Sequence, residues 1–302
     1  VKLMRDLFKG GTRDLDIIRI GRQLINSIWS RGLNRDMVGR EWIQALPPVS
    51  AKAALAFAKA TTTQNGPVSL AMKHAPPLFV LKLAIAPLKQ LCFHPQLGLK
   101  FWRMVHAGQH VRWHHPIGIG ASIRLHTQIQ SIRATKAGEL MRIACRCWAD
   151  NTLAVTGISD LMVRGKAMPK ESGNPPPTHE PTGAALFRTR IQTEAWQPQA
   201  YAAASGDRNP IHTKGWAARL AGLPEPIMHG ACVLAMITDA LAQRLDGPPA
   251  SMTSIQGRFS RPVIPGQRLT LVGYEDSGKD RLSFKVFNPS TTAVFDRGLL
   301  TY

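Results

Sequence analysis

Residues 231–245 read Ala-Cys-Val-Leu-Ala-Met-Ile-Thr-Asp-Ala-Leu-Ala-Gln-Arg-Leu. The run is helical in composition and apolar over most of its circumference, so a helix here has little face to give to solvent. Something must wrap it. A chain of 302 residues is long enough for two domains of ordinary size, and 44% hydrophobic content is normal for a globular protein. Ahead of the run stands Tyr201-Ala-Ala-Ala-Ser205-Gly206-Asp207-Arg208-Asn209-Pro210-Ile211-His212, and then His229-Gly230 at the helix entrance. Gly206 and Pro210 are expected to keep the 201–212 segment from being regular helix. It would then be a rigid loop presenting an acid, an amide and an imidazole within six residues.

The first half repeats these landmarks. Phe57-Ala-Lys-Ala-Thr61 matches Tyr201-Ala-Ala-Ala-Ser205 as an aromatic, three mostly small residues and a hydroxyl. His74-Ala75 precedes an apolar helical run over 78–92, as His229-Gly230 precedes its own. His115-Pro116 with Gly120, Ile123 and Leu125 lines up with Arg261-Pro262, Gly266, Leu269 and Leu271 at equal spacing. Three landmarks in the same order argue for an internal repeat. The repeat is unequal: His74 follows Phe57 by seventeen positions, and His229 follows Tyr201 by twenty-eight. The missing portion holds the Asp-x-Asn-Pro-x-His cassette, and Thr62-Thr63-Gln64-Asn65-Gly66 offers neither acid nor imidazole.

Strand-like segments follow each helical run: 110–114, 122–133, 140–149 and 153–164 in the first half, with turns at Ala137-Gly138 and Asp150-Asn151. The second half reads as strands at 185–192, 254–261, 268–274, 282–287 and 293–302. Pro169, Pro175, Pro176, Pro177 and Pro181 mark 167–182 as a linker. The expected organisation is an N-terminal extension (1–44), a first unit (45–166), this linker, and a second unit (183–302).

The second-half residues resemble the MaoC-like dehydratase and (R)-specific enoyl-CoA hydratase family. Its signature is Tyr or Phe, a short spacer, Ser-Gly-Asp-x-Asn-Pro-aliphatic-His, a small residue six positions on (here Ala218), and a downstream His-Gly pair. Ala204 departs from the family's preference for a larger aliphatic residue or Gly. The resemblance implies an α+β double hot-dog fold, each unit an antiparallel β-sheet wrapped around a long central helix. It also implies that the first unit is catalytically dead and shares a substrate tunnel with the second.

The implied activity is (R)-specific hydration of trans-2-enoyl thioesters, or the reverse dehydration of 3-hydroxyacyl thioesters, on coenzyme A or an acyl carrier protein. Such chemistry needs a base to activate water, an acid to protonate the α-carbon, and a group to stabilise the enolate-like oxygen. Asp207 and His212 supply the titratable pair, with acid and base not yet assigned between them. Asn209 either orients water or substrate or holds the loop. The backbone N–H of Gly230 would meet the oxyanion at a helix N-terminus, where glycine permits close approach. His229 either touches substrate or makes a structural hydrogen bond, and Tyr201 reads as packing more than chemistry. No metal and no redox cofactor is required. Two other functions are set against this one, a hot-dog thioesterase and a non-catalytic acyl-thioester-binding or scaffold subunit.

Lys and Arg number 38 against 19 Asp and Glu, a formal charge of +19. The basic residues are spread along the chain with no nucleic-acid-binding signature, so no nucleic-acid partner is expected. A cationic surface also suits coenzyme A or an acidic carrier, and Arg208, Lys214, Arg258 and Arg261 are candidates for its phosphates. Over 14–33, Ile17, Leu24, Ile25, Ile28 and Trp29 recur at helical spacing among arginines. This basic amphipathic helix either docks on a membrane surface or a protein, or packs on its own domain or a second copy in a homodimer. The four cysteines lack paired or zinc spacing, and reduced thiols in a cytoplasmic setting are expected. His106, His110 and His114 lie four apart, but the stretch reads as strand, which dissolves a metal-binding face. The stretch 273–280 nearly spells a phosphate-binding loop, yet it falls between two strands and is expected to be a hairpin turn.

Overall fold

In a computed structural model, residues 32–62, 72–100, 103–165, 180–181, 183–245 and 251–302 are described. The expected helix over 14–33, apart from its last two residues, and most of the 167–182 linker lie outside them.

Ten strands form one antiparallel sheet: β1 (Glu41–Leu46), β2 (Met104–Trp113), β3 (Ile123–Thr135), β4 (Gly138–Ala149), β5 (Thr152–Arg164), β6 (Ala185–Gln192), β7 (Ser254–Phe259), β8 (Arg268–Tyr274), β9 (Arg281–Phe287) and β10 (Ala293–Thr301). Their order across the sheet is β1-β3-β4-β5-β2-β7-β10-β9-β8-β6. From either edge inward the connectivity is the same, so the repeat seen in the sequence is a repeat of topology. The repeated glycines keep their conformation: Gly120 has φ 86° ahead of β3 and Gly266 has φ 87° ahead of β8. Left-handed backbone of this kind favours glycine. Glu41–Leu46 pairs with β3 along its whole length, so the first unit's sheet begins ahead of the expected boundary at residue 45.

Five helices are described. Helix α1 (Ala51–Thr61) is Ala-rich, and the Ser50 hydroxyl caps it by accepting from the Ala53 N–H at 3.1 Å. Helix α2 (Phe79–Cys92) and helix α5 (Gly230–Arg244) are the two apolar runs. From Cys232 to Thr238 every residue of α5 is buried, as a helix with so little polar face requires. Its one hydroxyl in that stretch, Thr238, donates to the Leu234 carbonyl at 2.8 Å. Helix α3 (Gln197–Ser205) and the short helix α4 (Gly215–Leu220) flank the acid–amide–imidazole segment. Here the sequence expectation needs correction: residues 201–205 are helical, and only from Gly206 is the segment a loop. Gly206 is the reason, at φ 82° as the left-handed cap of α3, its N–H bonding the Ala202 carbonyl at 3.1 Å.

The two units share one core. Phe57 and Phe79 of the first unit cluster with Tyr201, Met236, Phe284 and Phe295 of the second. The Phe57 and Tyr201 rings, equivalent in the repeat, meet at 5.7 Å. At the middle of the sheet β2 pairs with β7, placing Gln109 opposite Gly257 and His110 opposite Gln256. Among the described residues no helix is long and apolar enough to cross a membrane, and the four cysteines are free thiols.

Candidate active site

Each turn of the loop after α3 is held by the side chain before it. The Ser205 hydroxyl donates to the Tyr201 carbonyl at 2.7 Å and accepts from the Asp207 N–H at 3.0 Å. The Asp207 carboxylate accepts from the Asn209 N–H at 3.3 Å. Asn209 in turn accepts from the Ile211 N–H at 3.3 Å, opening a 3-10 turn over Pro210–His212. Successive Asx turns of this kind specify one backbone path without secondary structure. Of the two roles open to Asn209, its side-chain oxygen performs the second, holding the loop.

The path ends with His212 buried and its Nδ1 2.9 Å from the Ile227 carbonyl oxygen. A carbonyl only accepts, so Nδ1 carries the proton and Nε2 presents a lone pair. His229 stacks on His212, with ring centroids 3.7 Å apart and planes 25° from parallel. Its Nε2 donates to the Asp207 carbonyl at 3.1 Å. Burial lowers the pKa of both rings; Asp207 opposes the shift without reversing it, and His229 falls to about 3. Both are neutral at physiological pH. Burial pushes Asp207 upward, but His229, His212, the Asn209 N–H and Lys89 together hold it below the ordinary carboxylate value. The carboxylate is therefore ionised beside two neutral imidazoles.

Polar atoms of Asp207, His212 and His229 lie within 4.8 Å of one another. That convergence suits a water molecule better than a metal ion. Lone pairs of two stacked rings lie in nearly parallel planes, so both cannot point at one ion at bonding distance. The histidines of the first unit do not converge on an ion either. In β2, residues four apart are separated by about 13 Å of strand. His106 instead bonds Gln109 at 3.0 Å, an oxygen that also accepts from the Ser159 hydroxyl at 2.8 Å.

Gly230 is the first residue of α5, and no side chain caps that end. A Cβ there would lie 3.2 Å from the Phe259 ring, so glycine lets the ring close over the helix entrance. Tyr201 is 1% exposed, packs on His229 at 4.8 Å, and its hydroxyl has no protein hydrogen-bond partner among the described residues. It is a wall of the site. All four expected phosphate contacts, Arg208, Lys214, Arg258 and Arg261, are exposed. The Arg258 guanidinium also forms a two-pronged pair with Asp296 of β10, at 2.8 and 2.7 Å.

Three contributors were not read from the sequence. Lys89, in the last turn of α2, donates to the Gly206 carbonyl at 2.7 Å. His106 of β2 lies 4.7 Å from the Phe259 ring, and the Ile227 carbonyl sets the His212 tautomer. A lysine in a mostly apolar run, which it shares with Lys82 and Gln90, was the only sequence signal among them.

Family comparison finds a match in each unit. Residues 178–291 match the family described as MaoC like domain. The second unit is a MaoC-like domain. Residues 36–156, the other unit, match the family described as FAS1-like, dehydratase domain region. Among curated proteins, 3-hydroxyacyl-thioester dehydratase Y of Mycobacterium tuberculosis is 32% identical over 177 residues, 56% of this chain and 61% of that protein. The chain thus matches less than two thirds of that relative's length. Among solved structures, a MaoC-like dehydratase from Phytophthora capsici superposes with a TM-score of 0.78 at 21% identity, covering 89% of this chain and 98% of that one. A Mycobacterium tuberculosis protein described as having a double hot-dog fold superposes with a TM-score of 0.58 at 14% identity, over 87% of this chain and 95% of that one. The fold is a double hot-dog, with the MaoC-like unit carrying the acid–imidazole loop.

Proposed function

We propose that the protein adds water to trans-2-enoyl thioesters, giving (R)-3-hydroxyacyl thioesters, and catalyses the reverse dehydration. The observation that carries this reading is the His212 tautomer. With Nδ1–H committed to the Ile227 carbonyl, Nε2 is left as a second proton acceptor beside the ionised Asp207 carboxylate. One water held between them has its oxygen aimed by two acceptors. Its oxygen bonds to the β-carbon, its proton passes to the pair, and the pair returns a proton to the α-carbon, so the balance closes without an outside reagent. The uncapped entrance of α5 at Gly230 meets the negative charge that develops on the thioester oxygen. The side chains and backbone of the loop suffice for these steps, with no metal or redox group.

Coenzyme A or the phosphopantetheine arm of a carrier protein is the proposed handle, met by the exposed Arg208, Lys214 and Arg261. The test is the loss of enoyl absorbance on mixing the protein with a short and a long trans-2-enoyl-CoA. Hydration should fall by about two orders of magnitude or more in Asp207→Asn and in His212→Ala. Binding without turnover of either coenzyme A or carrier-linked substrates would instead favour a non-catalytic thioester-binding subunit.

A further inference from the structure

The first unit lacks the acid–imidazole cassette, yet one of its side chains hydrogen-bonds the loop that carries it. Lys89 lies in the last turn of α2, half-buried, with Nζ 2.7 Å from the Gly206 carbonyl oxygen across 117 residues of sequence. That carbonyl belongs to the same peptide plane as the Asp207 N–H, whose partner is the Ser205 hydroxyl at 3.0 Å. The following plane is held as well, since the Asp207 carbonyl accepts from His229 at 3.1 Å. Both peptide planes flanking the Asp207 α-carbon are therefore pinned, and among the described residues Lys89 is the pin supplied by the other unit. We propose that Lys89 is a positioning residue, fixing the Gly206–Asp207 peptide and setting an ammonium beside the carboxylate that must stay ionised to take a proton from water.

The charges around the pair agree with this role. Burial lowers the Lys89 pKa, Asp207 raises it again and Arg208 opposes. Seen from the carboxylate, Lys89 is one of the groups that hold Asp207 down, beside His229, His212 and the Asn209 N–H. His106 of β2 and Tyr201 of α3 are close enough to feel the Asp207 charge in return. Both imidazoles in contact with the loop are neutral at physiological pH, which leaves Lys89 and Arg208 as the basic side chains whose charge reaches it. The degenerate unit then serves the live one with a charge as well as a wall.

The inference rests on the hydratase reading for its purpose but not for its test. The Asp207 carboxyl is titrated by 13C NMR in the full chain without substrate, its signal assigned with Asp207→Asn, in wild type, Lys89→Met and Lys89→Arg. Removing the ammonium should raise the Asp207 pKa, while the arginine variant stays near wild type. In the hydration assay, Lys89→Met should lower kcat about tenfold with little change in KM, and move the acid limb of the rate profile upward by the same shift. A well-folded Lys89→Met with unchanged titration and unchanged acid limb would reduce Lys89 to a packing tie and overturn the proposal. Should the methionine variant not fold, Lys89→Gln keeps an N–H donor without the charge, and an unmoved titration there overturns it equally. If no thioester is turned over but the titration shifts, the proposed function fails while the positioning role stands.

Discussion

Gly206 decides where helix ends and chemistry begins. At φ 82° it lies in the left-handed region, and a Cβ added there would meet nothing within 4 Å. Replacing it with alanine therefore costs backbone strain alone, about 1 kcal/mol. For a chain of this size Gly206→Ala should lower Tm by about 2 °C. Hydration should fall about tenfold, because Asp207 hangs directly from that turn. Calorimetry beside the enoyl assay checks both, and a fall in Tm without loss of rate would unlink the turn from the chemistry. The candidate groups were readable from the cassette, since Asp207, Asn209 and His212 stand at fixed spacing. Their protonation was not, because it depends on the Ile227 carbonyl and on burial beside His229.

Strand β7 carries the seam between the units and the lid of the helix entrance at once. A Cβ on Gly257 would overlap the Phe295 ring, which is wholly buried against Phe284 and Phe259. Phe259 in turn covers Gly230. Gly257→Ala should destabilise by about 1–3 kcal/mol, since a packed core does not yield to an added methyl. Adding Phe295→Leu should recover part of the loss, and thermal unfolding of the two single variants and the double variant measures the coupling. Additive losses would show that the ring does not meet the new methyl. The helical runs and most strands were legible because their apolar spacing has a period. Helix α3 was misjudged in part: Gly206 and Pro210 are real breakers, but a glycine that caps a helix leaves the residues before it helical.

The continuous sheet and shared core bury histidines from both units, and acid should expose the cost. His106, His110, His212 and His229 are all lowered from the ordinary 6.5, chiefly by burial, with His229 reaching about 3. Below pH 6.5 the unfolded chain binds protons that the folded chain refuses, so stability falls as pH falls through that range. Each such histidine contributes a slope of at most about 1.4 kcal/mol per pH unit. Asp207 and Asp296 are lowered too, and their contribution is lost only below about pH 4, where unfolded carboxylates protonate. Tm should therefore hold level from pH 8 to 7 and decline steadily from 6.5 to 4.5. A flat profile between pH 7 and 5 would contradict neutral, buried imidazoles.

The sequence by itself determined the repeat, the two wrapped helices, most of the strands that follow them and the loop that bears Asp207 and His212, because each is written in local spacing and turn chemistry. Equal Pro-to-Gly and aliphatic spacings in the two halves already carried the repeat, but strand β1 went unread. The tertiary structure alone decided three matters. Arg258 pairs with Asp296 on the neighbouring strand, His212 offers Nε2 rather than Nδ1, and Lys89 crosses from the first unit to the loop of the second. Each depends on which groups meet in space at hydrogen-bond distance, and these partners lie 38, 15 and 117 residues apart, beyond any periodicity a single sequence displays.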